Sequence, residues 1–344
     1  MSDERHSRHI RFEPIGAAGQ QRIERARVAI IGCGALGSRA AELLARAGVG
    51  RAPQGILRLV DRDYVDVSNL QRQALFDTED AREARPKAAA AKRHIAAIDP
   101  EVRVEAHVRD FSPANAERLL DGIDLALDGT DNFRTRFLLN DAALARKIPW
   151  IYGGAVASRG VFAAFVPGRG PCFRCLLEDA PGLAAGETCD TAGIVTTVPA
   201  LVATMQANAA LRWFVDGSAP RGLRRIDLWS DDPVWDVAFE HAGADPRCAS
   251  CARGKLPALR EDRQDAVSLC GRNSVQIVGS RMPDLDAASV RLDRSGLQTH
   301  RHAQSLTVRI PEGAVTLFED GRVIVEGTTD TMEASTLVAK YLGG

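Results

Sequence analysis

Short apolar runs alternate with longer stretches of helical periodicity over the first half of the chain. The apolar runs are rich in valine, isoleucine and leucine, and lie at residues 27–31, 56–61, 102–107, 125–128 and 150–153. Between them, residues 85–98 and 134–147 space their apolar positions as amphipathic helices do. Strands that alternate with helices predict a parallel sheet covered by helices on both faces.

The pattern changes after residue 153. An antiparallel strand is predicted at 161–166, followed by a glycine-rich loop, a long apolar helix at 198–214, and strands near 224–229 and 234–239. These elements extend the same core. The charged segment at 253–266 is interrupted by a proline and predicts a linker. Beyond it, Asp320-Gly321 suits a tight hairpin turn, and residues 331–342 have helical periodicity.

We therefore predict an α/β fold with three segments. Residues 1–252 form a Rossmann-like, doubly wound and mostly parallel sheet with an antiparallel extension. Residues 253–266 are the linker, and residues 267–344 form a small α+β domain.

Composition excludes several classes of protein. The 344 residues have a formal net charge of −1, so no excess of cations is available for a phosphate backbone, and we expect no nucleic-acid partner. No run approaches the length of a membrane span, and the charged start lacks a signal sequence, which predicts a cytoplasmic protein without a membrane partner. The odd count of seven cysteines argues against a disulfide framework.

A glycine turn follows the first predicted strand and precedes a helix. Its glycines, Gly32, Gly34 and Gly37, let the backbone approach a phosphate at the helix N-terminus. The turn alone is also typical of nicotinamide and flavin oxidoreductases. After the second strand, however, an acidic residue suited to a ribose precedes Asn69 and Arg72, which are spaced one turn apart as a polyphosphate site requires.

Two pairs of cysteines have the spacing of zinc knuckles. Cys172 and Cys175 form one pair, and Cys248 and Cys251 form the other, so a closed four-thiolate zinc site is predicted. The two pairs are separated by far more than the roughly 15 to 20 residues of a compact ribbon, so the metal joins distant parts of the fold. The alternative is four independent buried cysteines.

A fifth cysteine, Cys189, lies in a stretch rich in glycine, threonine and aspartate. This composition predicts a loop in which the thiol is accessible, so Cys189 is a candidate catalytic thiol. The alternative is a loop thiol without chemical function. Cys33 and Cys270 fit better as small packed residues.

Together these motifs resemble the ThiF, MoeB and HesA family of adenylyltransferases, relatives of the ubiquitin-activating enzymes, over about residues 5–252. The resemblance rests on motifs in the family's order: Arg5-His6-Ser7-Arg8, the glycine turn, residues 61–73, Pro86-Lys87, Gly129-Thr130-Asp131-Asn132, Cys172-x-x-Cys175, Glu187-Thr188-Cys189 and Cys248-x-x-Cys251. Two departures are His9, where the family has glutamine, and Ala35, where a second glycine is common.

The resemblance implies a site for ATP with Mg²⁺, and a homodimer in which Arg8 reaches the phosphates bound by the neighbouring subunit. The implied ATP contacts are Gly34, Ala35, Asp61, Asp63, Ser68, Asn69, Leu70, Gln71, Arg72, Lys87, Asp131 and Asn132. Attack on the α-phosphorus needs cations along the triphosphate, which Arg8, Arg72 and Lys87 supply, while Asp131 follows a strand and suits Mg²⁺. The alternatives are that Lys87 is solvated and that Asp131 or Asn132 only caps a helix.

The activity implied by the resemblance is adenylation of the C-terminal Gly-Gly carboxylate of a ubiquitin-like sulfur-carrier protein, with release of pyrophosphate. No cysteine-bearing anion loop follows Cys270, so a separate protein is the expected sulfur donor. Three alternatives stay open: an activating enzyme that conjugates its carrier through a Cys189 thioester, a nicotinamide or flavin oxidoreductase, and a nucleotide-sensing scaffold held by zinc.

Overall fold

The computed structural model describes residues 2–177, 192–232, 234–237, 244–260, 266–269, 273–278, 283–302, 305–319 and 321–342. The chain forms two compact units. The first contains residues 1–82 and 86–261, and the second contains residues 83–85 and 262–344.

The first unit is built on one twisted sheet. Its strands are β1 Arg27–Ile31, β2 Ile56–Asp61, β3 Val104–Val108, β4 Leu125–Asp128, β5 Trp150–Val156, β6 Arg159–Phe165, β7 Leu223–Asp227 and β8 Val234–Val237. They lie in the order β3-β2-β1-β4-β5-β6-β7-β8. Strands β1 to β5 are parallel, and β6, β7 and β8 are added antiparallel at one edge. The predicted fold class is confirmed.

Helices cover both faces of this sheet. They are α1 Ser2–Arg5, α2 Ser7–Arg11, α3 Gly16–Arg25, α4 Ala35–Arg46, α5 Thr78–Arg82, α6 Lys87–Ile98, α7 Ala116–Leu119, α8 Phe133–Arg146, α9 Phe173–Leu177 and α10 Thr197–Asp216. One core packs α3, α4, α6 and α10 against the sheet. The other packs α7, α8 and α9 against the opposite face, around the aromatic side chains of Trp150, Phe165 and Phe173.

Most predicted elements lie within a few residues of those observed, but the segment predicted as a linker contains ordered structure. A short 3-10 helix, Pro257–Leu259, packs against α8, and Ala258 is buried in the core. Proline and charge in a sequence indicate a break in regular structure, and they give no information on whether that break is packed. The domain boundaries at 252 and 267 stay a prediction.

The second unit is an antiparallel sheet with two helices. Its strands are β9 Ala266–Leu269, β10 Ser274–Val278, β11 Gln298–Arg301, β12 Ser305–Ile310, β13 Gly313–Phe318 and β14 Arg322–Glu326, in the order β11-β12-β13-β14-β10-β9. Helices α11 Leu285–Arg294 and α12 Thr331–Leu342 pack on the face formed by Val275, Val308, Val315 and Val325. Within the described residues, no helix has the length and hydropathy needed to cross a bilayer.

The junction of β1 and α4 is a very close backbone contact. A Cβ atom added at Gly37, on the first turn of α4, would overlap the carbonyl oxygen of Gly32. Gly32 itself has φ +89°, which favours glycine. The helix therefore starts directly against the end of the strand, and its first peptide groups face the carboxyl edge of the sheet.

Replacing Gly37 with alanine should lower the free energy of unfolding by about 1–3 kcal/mol, because the methyl group overpacks this contact. Urea unfolding followed by circular dichroism measures the loss. Gly34→Ala is the matched control, since the nearest atom to its added Cβ is 3.7 Å away, and it should cost about 1 kcal/mol at most. Equal losses in the two variants would contradict this account of the junction.

Candidate active site and metal centre

The candidate site lies at the carboxyl edge of the parallel strands, where the strand order reverses. β1 lies between β2 and β4, and the chain returns from β3 to β4 on the other side of β1. Loops that leave neighbouring strands in opposite directions open a crevice at such a position, and ligands of doubly wound sheets bind there. The glycine turn follows β1, Asp61 is the last residue of β2, and the Gly129–Asn132 turn follows β4.

The glycine turn presents the N-terminus of α4 to this crevice. The Gly32 amide donates to the Val60 carbonyl at 2.8 Å, and the Gly129 amide donates to the Ile31 carbonyl at 2.8 Å, so both turns are held to the sheet. Gly34 is the N-cap residue of α4, and no side chain caps the helix. The first amides of α4 are thus available to an anion, which the helix dipole also favours.

Asp61 is buried at the end of β2 and holds two loops through its carboxylate. One oxygen accepts from the Cys33 amide at 2.5 Å, and the other accepts from the Asp63 amide at 2.7 Å. Burial raises the pKa of Asp61, and the Lys87 ammonium group opposes this rise. The carboxylate therefore organises the glycine turn as well as lying where a ribose is expected.

Lys87 is the first residue of α6 and only 4% exposed. Its Nζ lies 3.3 Å from Asp63 Oδ2, and its amide donates to the Asp63 carbonyl at 2.8 Å. The interpretation of Lys87 as a solvated surface residue is wrong, because its side chain is buried. A lysine at a helix N-terminus is unfavourable to the helix dipole, so this position is better explained by a nearby anion.

Residues 66–72 form a capped turn beside this crevice. Asp66 accepts from the Ser68 amide at 2.8 Å, and Asn69 Oδ1 accepts from the Asp66 amide at 3.1 Å, which closes a capping box around the 3-10 helix Val67–Asn69. Arg72 donates to the Ser68 carbonyl at 2.8 Å. Ser68 is exposed, whereas Asn69 is buried. The side-chain oxygen of Asn69 thus stabilises the turn.

The neighbouring residues of this segment differ in environment. Leu70 packs against the core of α4 and α6. Gln71 is exposed, and its Oε1 accepts from the Thr196 hydroxyl at 2.6 Å. Residues 66–72 are consequently held by the core at Leu70 and by the hydrogen bond from Thr196 at Gln71.

Asn132, not Asp131, caps α8. Asn132 Oδ1 accepts from the Thr135 amide at 2.9 Å, while Asp131 is exposed beside the positive charges of Arg62 and Arg136. The capping alternative therefore describes Asn132 but leaves the Asp131 carboxylate available. An exposed carboxylate at the edge of a parallel sheet is a suitable ligand for a hard cation.

A buried ion pair beneath Asp131 was not predicted from the sequence. Arg136 donates to Asp128 Oδ2 at 2.9 Å and to the carbonyls of Thr130 and Gly153 at 2.7 and 3.1 Å. The other Asp128 oxygen accepts from the Thr130 hydroxyl at 2.6 Å. Burial raises the pKa of Asp128, and Arg136 opposes that rise. The sequence shows only that Asp128 ends an apolar strand. The pairing of Asp128 with Arg136 is visible only in the folded structure.

The four cysteines of the two predicted knuckles converge beside the middle of α8. Their Sγ atoms all lie within 4.8 Å of one another, and the separations are 3.8 Å for Cys172–Cys175, 3.7 Å for Cys172–Cys248 and 3.3 Å for Cys175–Cys251. Sulfurs bound tetrahedrally to zinc at about 2.3 Å lie about 3.8 Å apart. Burial raises the pKa of Cys172 to about 11. The donor set and its dimensions fit Zn²⁺.

The position of one predicted residue is not described, and another lies apart from this assembly. Cys189 lies outside the described residues. Arg8 is exposed on α2, which packs against α3, and within the described part of the chain no hydrogen bond or ion pair joins it to the crevice. The other predicted residues follow β1, β2 and β4 or begin α6 and α8, and so surround one crevice.

Replacing Cys251 with serine should remove most of the bound metal, because a four-sulfur site loses one of its ligands. We expect the unmodified protein to contain about one zinc ion per chain, measured by inductively coupled plasma mass spectrometry. Cys189→Ser, which leaves all four knuckle cysteines unchanged, is the control and should keep its zinc. A Cys251→Ser protein with undiminished zinc would refute this assignment.

Comparisons with known proteins agree with this architecture. The profile described as "ThiF family" matches residues 6–250. Sulfur carrier protein ThiS adenylyltransferase of Bacillus subtilis is 39% identical over 344 residues, 98% of this chain and 99% of that protein. Sulfur carrier protein adenylyltransferase of Thermus thermophilus is 39% identical over 275 residues, 78% of this chain and 96% of that protein.

Solved structures share the fold. A crystal structure of E. coli MccB with MccA-N7isoASN aligns with a TM-score of 0.61 at 20% identity, covering 73% of this chain and 75% of that chain. A structure of E. coli MccB with ATP aligns with a TM-score of 0.55 at 22% identity, covering 68% of each chain.

Proposed function

Because the chain belongs to the ThiF family, we propose that it uses ATP to adenylate the C-terminal Gly-Gly carboxylate of a ubiquitin-like sulfur-carrier protein. The full-length similarity to an adenylyltransferase of the sulfur carrier ThiS supports this substrate class. The acyl-adenylate then accepts sulfur, and we propose that a separate protein donates it.

One observation carries the proposal at the level of the site: the buried Lys87 side chain lies within electrostatic reach of Asp61 and of the glycine turn. Asp63 holds this ammonium group beside the glycine turn, where it can form a charge-assisted hydrogen bond with a phosphate bound at the α4 N-terminus. A hydride-transfer site requires no such cation beside the phosphate turn, which favours ATP over a nicotinamide cofactor.

The reaction places negative charge on the departing group. An oxygen of the carrier's terminal carboxylate attacks the α-phosphorus and forms a new P–O bond. The bond between the α-phosphorus and the oxygen that bridges it to the β-phosphorus breaks. The electron pair leaves with pyrophosphate. We propose that the α4 N-terminus holds a phosphate, and that Lys87 and Arg72 stabilise the charge that grows as this bond breaks.

Asp131 is the proposed ligand for Mg²⁺, together with the phosphate oxygens. The ion supplies charge neutralisation along the triphosphate when bound. Asn132 caps α8 and Arg136 holds the carbonyl of Thr130, so the loop bearing Asp131 is fixed on both sides. We further propose that Arg8 acts across a homodimer, and the cytoplasmic location stays a prediction.

Lys87→Ala should slow carrier-dependent exchange of labelled pyrophosphate into ATP by at least about 100-fold, because a cation that stabilises the leaving group is lost. ThiS of Bacillus subtilis is the carrier for the assay. Lys92→Ala, on the same helix but exposed, is the control and should exchange at the unmodified rate. If Lys87→Ala exchanged as fast as Lys92→Ala, the proposed phosphate site would be wrong.

Cys189→Ala separates adenylation from thioester chemistry. If the chain only adenylates its carrier, the variant keeps pyrophosphate exchange and the transfer of sulfur. If a Cys189 thioester is formed, the variant keeps exchange but loses a carrier adduct that is cleaved by hydroxylamine, detected by intact-protein mass spectrometry. We expect exchange to persist in either case, because this thiol does not contribute to attack on ATP.

A further inference from the structure

Helix α8 joins the nucleotide crevice to the cysteine cluster. It begins after Asn132, beside Asp131, and its third turn carries two buried polar residues, Asn140 and Asp141. At a rise of about 1.5 Å per residue, these lie about 12 Å along the axis from the helix start. Both side chains are fully buried, and buried polar groups in an apolar helix need partners.

The carboxamide of Asn140 has a single consistent orientation. Its Oδ1 accepts from the Phe173 amide at 3.0 Å, so the amide nitrogen must point the other way. This Nδ2 lies 3.1 Å from Asp141 Oδ1 and 3.8 Å from Cys172 Sγ. Asn140 thus donates toward a sulfur atom of the cluster while holding the backbone next to it.

The carboxylate of Asp141 contacts both knuckles at equivalent positions. Ser250, the third residue of the Cys248–Cys251 knuckle, donates its hydroxyl to Oδ1 at 2.6 Å. Arg174, the third residue of the Cys172–Cys175 knuckle, lies 3.5 Å from Oδ2 and also donates to the Ser250 oxygen at 2.8 Å. The Ala258 amide donates to Oδ2 at 2.9 Å. Segments distant in sequence therefore meet on one buried group.

We propose that Asn140 and Asp141 are positioning residues of the metal centre. Asn140 stabilises the Cys172 thiolate through its N–H group, and Asp141 aligns the two knuckles, so that together they determine how tightly the metal is retained. A four-thiolate zinc site has an excess of negative charge, which N–H donors to sulfur reduce. Arg174 compensates the charge of Asp141 nearby.

Asn140→Asp removes the N–H donor with almost no change in shape. The new carboxylate still accepts from the Phe173 amide, but it presents an oxygen instead of an N–H group to Cys172 and to Asp141 Oδ1. We expect a zinc affinity 10–100-fold weaker, a range typical for groups that orient metal ligands. Competition with the chromophoric chelator 4-(2-pyridylazo)resorcinol on the full-length protein measures it. This readout is independent of adenylation, so it does not depend on the proposed function.

Asn115→Asp is the matched control, because Asn115 makes its hydrogen bonds beside α7, to Ser112 and Asp110. It should hold zinc like the unmodified protein. In the cobalt-substituted protein, Asn140→Asp should also shift the sulfur-to-metal charge-transfer band. An Asn140→Asp protein with unmodified affinity and spectrum would overturn the proposal, and so would equal zinc loss in the control.

Ser250→Ala keeps the proposal testable if Asn140→Asp does not fold. It removes only the hydroxyl that donates to Asp141, and alanine fits the same buried space. We expect zinc to be bound about 10-fold more weakly, with an unchanged far-ultraviolet circular dichroism spectrum. Unchanged zinc affinity in this variant would show that Asp141 does not align the knuckles, and would reject that half of the proposal.

Discussion

The close approach of backbone at Gly32 is the constraint on which the candidate active site depends. Its carbonyl oxygen lies against Gly37 on α4 and against Gly129 after β4, so close that a side chain at either position would overlap it. Three segments can meet there only because none of them has a Cβ atom at the contact. The N-terminus of α4 is thereby brought to the loop that bears Asp131, and the crevice has the first amides of α4 on one side and a carboxylate on the other.

Buried charge stabilises the loops around this crevice. Asp61 and Asp128 end the two strands that flank β1, and both are removed from water, a cost that is repaid only when each carboxylate is fully hydrogen-bonded. Asp61 accepts from two backbone amides, and Asp128 is paired with Arg136. The polar groups at the ends of β2 and β4 thus hold the backbone in position.

Helix α8 lies beside both the candidate active site and the cysteine cluster. The N-cap of α8 adjoins the proposed Mg²⁺ ligand, and its third turn adjoins the cysteine cluster. A helix transmits position along its axis because its backbone hydrogen bonds leave little freedom between one turn and the next. The cysteine cluster therefore lies where α8, the knuckles and the packed segment at Pro257–Leu259 meet, and it does not form a separate finger.

The sequence alone determined the alternation of strands and helices, the antiparallel extension, the paired cysteines and the family, and these predictions are confirmed; the roles of the catalytic and ATP-binding residues stay predictions. Such features depend on local periodicity and on short spacings, which a chain carries wherever it folds. Only the tertiary structure decided that Lys87 is buried, that Asn69 caps its own turn, and that Arg136 pairs with Asp128 and Asp141 with Ser250. Those contacts join segments far apart in sequence, and the energy of a buried polar group depends on the partner that the fold brings to it.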